Sequence, residues 1–362
     1  MPPVVDADTH IAESRSMWQH FDSRLYPRRP ALLFGPNDTL YGKKNVFWLI
    51  DGNIFPKPAG KGGFSLITPS ESEFQANRTD IEIACRELTD VPARLSDMER
   101  LGVDVQVVYP TLFLVYLTDD PELELALCRA YNRFLAEAWA QSNNRIRWVV
   151  IPPLKSVDET VRELRFGKEN GAVGVFFRGV ERDRTLDNPY FFPIYEEAQR
   201  LDLPICIHTG AGCPTWTSIF DVDRNSSFPH IRMQPLIAFR DLIHNQIPAQ
   251  FPSLRFGFVE AGASWVPYVL HALKRLFRTD WSEWGPELFA ANRLYVACEA
   301  DEDIAYLTRF IGEDHLMIGS DYGHNDPSEE RELVMTLRAR EDISSDLIDK
   351  ILCENPARLY GI

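Results

Sequence analysis

What most constrains this chain is a rhythm in its apolar residues. Short runs rich in Val, Ile and Phe recur from one end to the other, each followed by a stretch with helical spacing. Eight such runs fall at 4–10, 103–110, 146–153, 172–179, 204–210, 255–262, 293–300 and 315–322. Most are hydrophobic almost without interruption, as strands covered on both faces must be. Between them, 121–143 carries Leu123, Leu127, Tyr131, Phe134 and Leu135 at helical spacing. The stretch 157–170 starts after Ser156, a side chain suited to capping a helix N-terminus, and stops beside Gly171. Stretches 189–201, 234–246, 265–276 and 303–311 read the same way. Strand and helix in strict alternation predict an α/β fold, a (β/α)₈ TIM barrel forming one domain over 1–362.

One segment breaks the rhythm. Residues 26–69 are rich in Pro, Gly, Lys, Phe and Trp and show poor periodicity. They read as a loop-rich insertion after the first strand, either covering the active-site face or serving as a packing arm or subunit contact.

Composition excludes several classes. With 45% apolar residues in 362, the chain buries a large core without disulfide staples. Its net charge of −15 argues against nucleic acid or an anionic membrane as partner, since both are gripped by clustered Lys and Arg. A small-molecule substrate is expected instead. None of the six cysteines forms a C-x-x-C pair, and Cys206 and Cys298 sit in apolar runs as buried thiols would. That usage, with an opening MPPVVDADTH that lacks a signal-peptide pattern and no apolar stretch of spanning length, predicts a cytoplasmic protein.

In such a barrel the chemistry sits where strands end. The first run ends in Asp6, Asp8 and His10, and alternation puts Asp8 and His10 on one face. The fifth ends at His208, the sixth at Glu260, the seventh at Glu299 and the eighth at Asp321, with His324 close behind. The fourth delivers Arg178 to the rim. A carboxylate such as Asp321 at the end of an apolar strand is costly unless a cation or partner takes up its charge. Each residue alone has an ordinary structural explanation; together they point to a metal centre held by Asp8, His10, His208, Asp321 and Glu260. Mixed imidazole and carboxylate donors suit Zn, Mn or Fe.

The segments VDADTHIAE, ICIHTGAG, FVEAGASWVPY, MIGSDYGH and ENPARLYGI, in this order, resemble the amidohydrolase superfamily, and within it the amidohydrolase-related branch of aminocarboxymuconate-semialdehyde, γ-resorcylate and dihydroxybenzoate decarboxylases. The resemblance implies that Asp8 and His10 stand at the family's first ligand pair, His208 at the ligand after strand five and Asp321 at the ligand after strand eight. It also implies a homo-oligomer, a dimer or tetramer. Where many members carry His after strand six, this chain has Glu260.

Two mechanisms follow. In the first, a metal-dependent decarboxylase or hydrolase acts on a small carboxylated or aromatic substrate. Asp321 ligates and shuttles a proton, His324 donates to the developing carbanion, and Arg178 orients an acidic group. In the second, Glu260, with Glu13, Glu299 and His324 as spare donors, completes a dinuclear iron site for a non-haem monooxygenase. A third reading is a non-catalytic scaffold. Trp265, Pro267, His244 and His271 are expected to pack or face solvent; His230, Trp216, Phe113 and Phe177 are candidate pocket residues.

Overall fold

Eight parallel strands form a single sheet in chain order. They are β1 (Val5–Ile11), β2 (Val105–Pro110), β3 (Ile146–Val150), β4 (Ala172–Arg178), β5 (Ile205–His208), β6 (Phe256–Val259), β7 (Leu294–Cys298) and β8 (Leu316–Ile318). The sheet curls back on itself just past β8. There His10 N–H donates to Tyr322 O at 2.8 Å and Asp321 N–H to Asp8 O at 3.0 Å, with Thr9 and Tyr322 bridged in parallel. This is the predicted (β/α)₈ barrel. The computed structural model describes residues 3–38, 45–56, 65–72, 78–219, 232–277 and 284–362.

The helices follow from their ends. Helix α1 (Val91–Leu101) is capped by the Asp90 carboxylate and stopped by Gly102, whose φ of 71° suits a residue without Cβ. In α2 (Pro121–Gln141) the Asp120 side chain accepts from the Glu122 and Leu123 N–H groups. Ser156 caps α3 (Val157–Glu169) as expected. Helix α4 (Phe192–Arg200) begins later than its sequence pattern, because Pro189–Phe191 forms a 3₁₀ turn first. Then come α5 (Met233–His244), α6 (Val266–Phe277) and α7 (Ile304–Ile311), and at the floor of the barrel α8 (Asn355–Tyr360).

The insertion is more regular than its sequence suggests. Ala31–Phe34, Val46–Ile50 and Asn53–Phe55 form a three-stranded antiparallel sheet. Trp48 and Ile50 sink into the main core, where Trp48 meets Trp18 edge to face at 6.0 Å. Large side chains on both faces erase the period-2 signal that marks a half-buried strand. Arg28 pairs with both Asp51 and Asp120, tying the insertion to the start of α2.

All six cysteines are unpaired and buried. Among the described residues no helix is long and apolar enough to cross a membrane.

Candidate metal centre

Strand β1 does not run straight into the mouth. Asp6 faces Gln106 on β2, but the next pair is Thr9 with Val108, so Ala7 and Asp8 together oppose Val107. This bulge re-aims the strand just where Asp8 and His10 leave it. Beyond it, the His10 Nδ1–H donates to Pro110 O at 2.9 Å. A carbonyl only accepts, so Nδ1 carries a hydrogen and Nε2 is the nitrogen that faces inward. His208 is set the same way by Thr209 O at 2.9 Å.

Glu260 and Asp321 arrive by a different device. Each follows the end of its strand in the left-handed region, with φ of 60° and 52°. For residues with a Cβ this conformation costs about 1–3 kcal/mol and persists only where the surroundings enforce it. Here it turns both carboxylates back over the barrel.

The result is a buried knot of donors. His10 Nε2 lies 3.4 Å from Asp8 Oδ1, from Glu260 Oε2 and from Asp321 Oδ1. His208 Nε2 lies 3.5 Å from Asp8 Oδ1 and 2.8 Å from Glu260 Oε2. Yet Asp8 Oδ1, both imidazole Nε2 atoms, Glu260 Oε2 and both Asp321 oxygens have no hydrogen-bond partner. Buried polar atoms are rarely left so. They lie within a few ångströms of one another without forming hydrogen bonds, as donors gathered around a cation do. Ligand atoms about 2.0–2.2 Å from one ion lie roughly 3–3.5 Å apart, so the set fits a divalent cation.

Electrostatics agrees. Burial opposes charge on His208, but Glu260 and Asp8 outweigh it and lift the imidazole to about 10. Burial likewise opposes ionisation of Glu260, and His208 overrides it, holding that carboxyl well below its usual range. Asp321 goes the other way: burial, then the charges of Glu260, Asp326 and Asp8, raise it well above the carboxylate range.

A second donor group shares His10 and Glu260 and adds Asp321 and His324. His324 Nδ1 lies 2.7 Å from Asp321 Oδ1, its Nε2 contacts Thr111 Oγ1 at 2.9 Å, and its ring stacks on His10 at 3.8 Å. Burial, then the neighbouring His10, keep His324 neutral.

Three of the other candidates lie elsewhere. Arg178 meets Glu181 through Nε and Nη2 and donates to Phe113 O and Val115 O. It lines a separate cavity with Lys155 and Tyr190, so it secures the loop after β2 rather than facing the donor knot. Glu13 accepts from the Thr111 and Leu112 N–H groups and positions that same loop. Glu299 is bound to Arg232. Phe177 packs on Phe191 and Tyr195 in the core, and His230 lies outside the described residues.

Two neighbours of the knot escaped the sequence reading. Asp326 follows β8 and sits beside Asp321; burial, then the Glu260 charge, raise it to about 6. Arg232 precedes α5, donating to Glu260 O at 3.3 Å, Glu299 Oε1 at 2.6 Å and Ser328 Oγ at 3.3 Å. A cavity of about 220 Å³ opens over Asp8, Glu260 and Asp321, with Glu299, Ser328 and Glu330 in its wall. No spacing rule marked Asp326 or Arg232, because both enter from loops.

The amidohydrolase family model matches residues 5–362. A 2-amino-3-carboxymuconate-6-semialdehyde decarboxylase of Dictyostelium discoideum is 23% identical over 251 residues, which cover 64% of this chain and 66% of the relative. Three gamma-resorcylate decarboxylases are matched over only 45%, 42% and 45% of their lengths. An amidohydrolase structure from Mycobacterium avium subsp. paratuberculosis superposes with a TM-score of 0.76 at 20% identity, covering 99% of each chain. A 5-carboxyvanillate decarboxylase from Novosphingobium aromaticivorans, complexed with manganese and 4-hydroxy-3-methoxy-5-nitrobenzoic acid, gives 0.68 at 21% identity, covering 100% of this chain and 96% of that one.

Proposed function

Since the chain belongs to the amidohydrolase family, we propose that it is a metal-dependent decarboxylase acting on a small aromatic carboxylate. The observation that carries this reading is the knot of buried, unpartnered imidazole and carboxylate donors at the strand ends. The relatives named decarboxylases support the reaction class.

Asp8, His10, His208 and Glu260 form one donor group that would hold the ion, and Asp321, 3.4 Å from His10 Nε2, would complete it from the strand-eight side. Zn, Mn and Fe all suit this donor set; manganese is the ion in the decarboxylase structure described above. When bound, a divalent ion supplies Lewis-acid stabilisation of negative charge on the substrate's oxygens.

The chain's own residues do the rest. Arg232, beside the cavity, receives the substrate's anionic group in competition with Glu299. As the bond from ring carbon to carboxylate breaks, its electron pair stays on the ring carbon and carbon dioxide leaves. The Asp321 carboxyl delivers the proton that this carbon needs. Asp326 returns a proton to Asp321 from the solvent side, and neutral His324 stands beside the donor, its Nδ1 2.7 Å from Asp321 Oδ1. Burial of the knot keeps bulk water off the developing carbanion.

A second reading, two iron ions and oxygenase chemistry, rests on the second donor group through His324. None of the relatives named above is an oxygenase. Carbon dioxide release from hydroxylated benzoates, assayed with metal stoichiometry, tests both. About one ion per chain with release upholds the first reading; about two irons with oxygen consumption upholds the second.

A further inference from the structure

The closing segment of the sequence reaches the metal centre from below. Helix α8 lies under the barrel floor, and its Tyr360 projects into the barrel with 1% of its surface exposed. The Tyr360 hydroxyl donates to Ala7 O at 2.7 Å and meets the Tyr109 hydroxyl at 2.8 Å. A phenol has one hydrogen, and Ala7 O only accepts. Tyr360 therefore spends its hydrogen on Ala7, and Tyr109 donates to Tyr360.

Both ends of this relay touch the ligand set. Ala7 is one of the two bulged residues of β1, and the other is Asp8. An unpaired bulge carbonyl buried in a barrel core is costly, and a bulge lacking its partner is free to slip back into register. Such a slip would turn Asp8 off the centre. At the other end, the Tyr109 ring lies 5.0 Å from the His208 ring and 6.3 Å from that of His10. A second hydroxyl bond to the floor holds it there.

We propose that Tyr360 is a positioning residue for the metal centre. Through Ala7 it locks the bulge that aims Asp8, and through Tyr109 it supports the imidazoles of His208 and His10. The inference rests on the metal-centre reading and adds to it a residue far from the mouth. It gives the ENPARLYGI segment a role in the site as well as in closing the barrel floor.

The test uses the full chain loaded with Co²⁺ or Mn²⁺. Tyr360→Phe removes one oxygen and keeps the ring. Tyr195→Phe is the matched control: its hydroxyl also donates to a backbone carbonyl, Leu186 O at 2.7 Å, fully buried but in the aromatic core behind β4. Chelator competition gives the ion affinity, and the visible spectrum of the Co²⁺ protein reports ligand geometry. Partners behind metal ligands are typically worth 10–100-fold in affinity. Tyr360→Phe is expected to weaken binding about tenfold or more and to shift the spectrum, while Tyr195→Phe leaves both as in the wild type.

If Tyr360→Phe fails to fold, Tyr109→Phe carries the test, since it keeps the bond to Ala7 and frees only the ring beneath His208. It should weaken the ion and alter the spectrum to a smaller extent. An unchanged affinity and spectrum in the Tyr360 variant, or in the Tyr109 variant where that one stands in, overturns the proposal. So do equal losses in the Tyr195 control. A wild-type chain that binds neither ion overturns the metal-centre reading itself.

Discussion

Asp8 occupies the space where a side chain on Gly319 would sit. A Cβ at position 319 would lie 2.7 Å from the Asp8 backbone nitrogen and 2.9 Å from its Cα, and closer still to its Cβ. The glycine that follows β8 thus lets β1 press Asp8 against the segment that leads to Asp321. Backbone atoms cannot yield as the tip of a flexible side chain can.

Gly319→Ala is therefore expected to push β1 away from β8. Overpacking typically costs about 1–3 kcal/mol, and here the displacement falls on Asp8 itself. Chelator competition should show ion affinity falling at least tenfold, a larger loss than the drop in melting temperature alone would bring. An alanine variant with wild-type affinity would show that the contact does not position Asp8.

Asp321→Asn separates holding the ion from holding the proton. The amide oxygen still ligates, but the group has no acidic hydrogen to give. Metal content should stay near wild type while kcat for carbon dioxide release drops about 10²–10⁴-fold, the usual worth of a positioned proton donor. Retained turnover would move the proton source away from Asp321.

Ion binding should release protons. In the ion-free chain the His208 pKa is raised from 6.5 to about 10. A raised imidazole stabilises the fold fully below pH 6.5, and that contribution fades as pH climbs through 10. A divalent ion needs the Nε2 lone pair and must displace this proton, so the apparent affinity rises with pH across the neutral range. The expected slope is at least about one proton per ion, read by titration calorimetry in buffers of different ionisation enthalpy. Affinity independent of pH would mean that His208 is not a ligand.

Arg178 offers a contrast. Its charge is paired with Glu181 in a buried site, and it holds two carbonyls of the loop after β2. Removing one partner of a buried pair costs about 3–5 kcal/mol. Arg178→Met should unfold at much lower denaturant concentration yet keep its ion and its KM once folded. Arg232→Met should do the reverse, raising KM at nearly unchanged stability. The opposite pattern would restore Arg178 as the residue that orients the substrate.

Much of this was legible in the sequence, for physical reasons. A strand buried on both faces must be hydrophobic throughout, so the eight barrel strands stood out, and ionisable residues at their ends stood out against them. His10, His208 and Asp321 were readable because a polar group is expensive in such a place. The bulge at Ala7 and Asp8 was not, since a bulge leaves no mark on composition. Nor were the left-handed turns at Glu260 and Asp321, where Gly or Asn would be expected, because tertiary packing overrides local preference there. Arg178 showed the limit of reading strand ends: the strand delivers the residue to the rim, and long-range partners decide where its side chain goes. Arg232 and Tyr360 act across tens to hundreds of residues of sequence and Asp326 from an irregular loop five residues past Asp321, so no local pattern announces them.

The proposed cation site draws on Asp8, His10, His208, Glu260 and Asp321. Elemental analysis of the purified chain after saturation with Mn²⁺ and gel filtration tests it most directly, with His208→Ala run alongside. About one ion per wild-type chain is expected, and almost none in the variant. No ion above background in the wild type, or equal ion content in both, would contradict it.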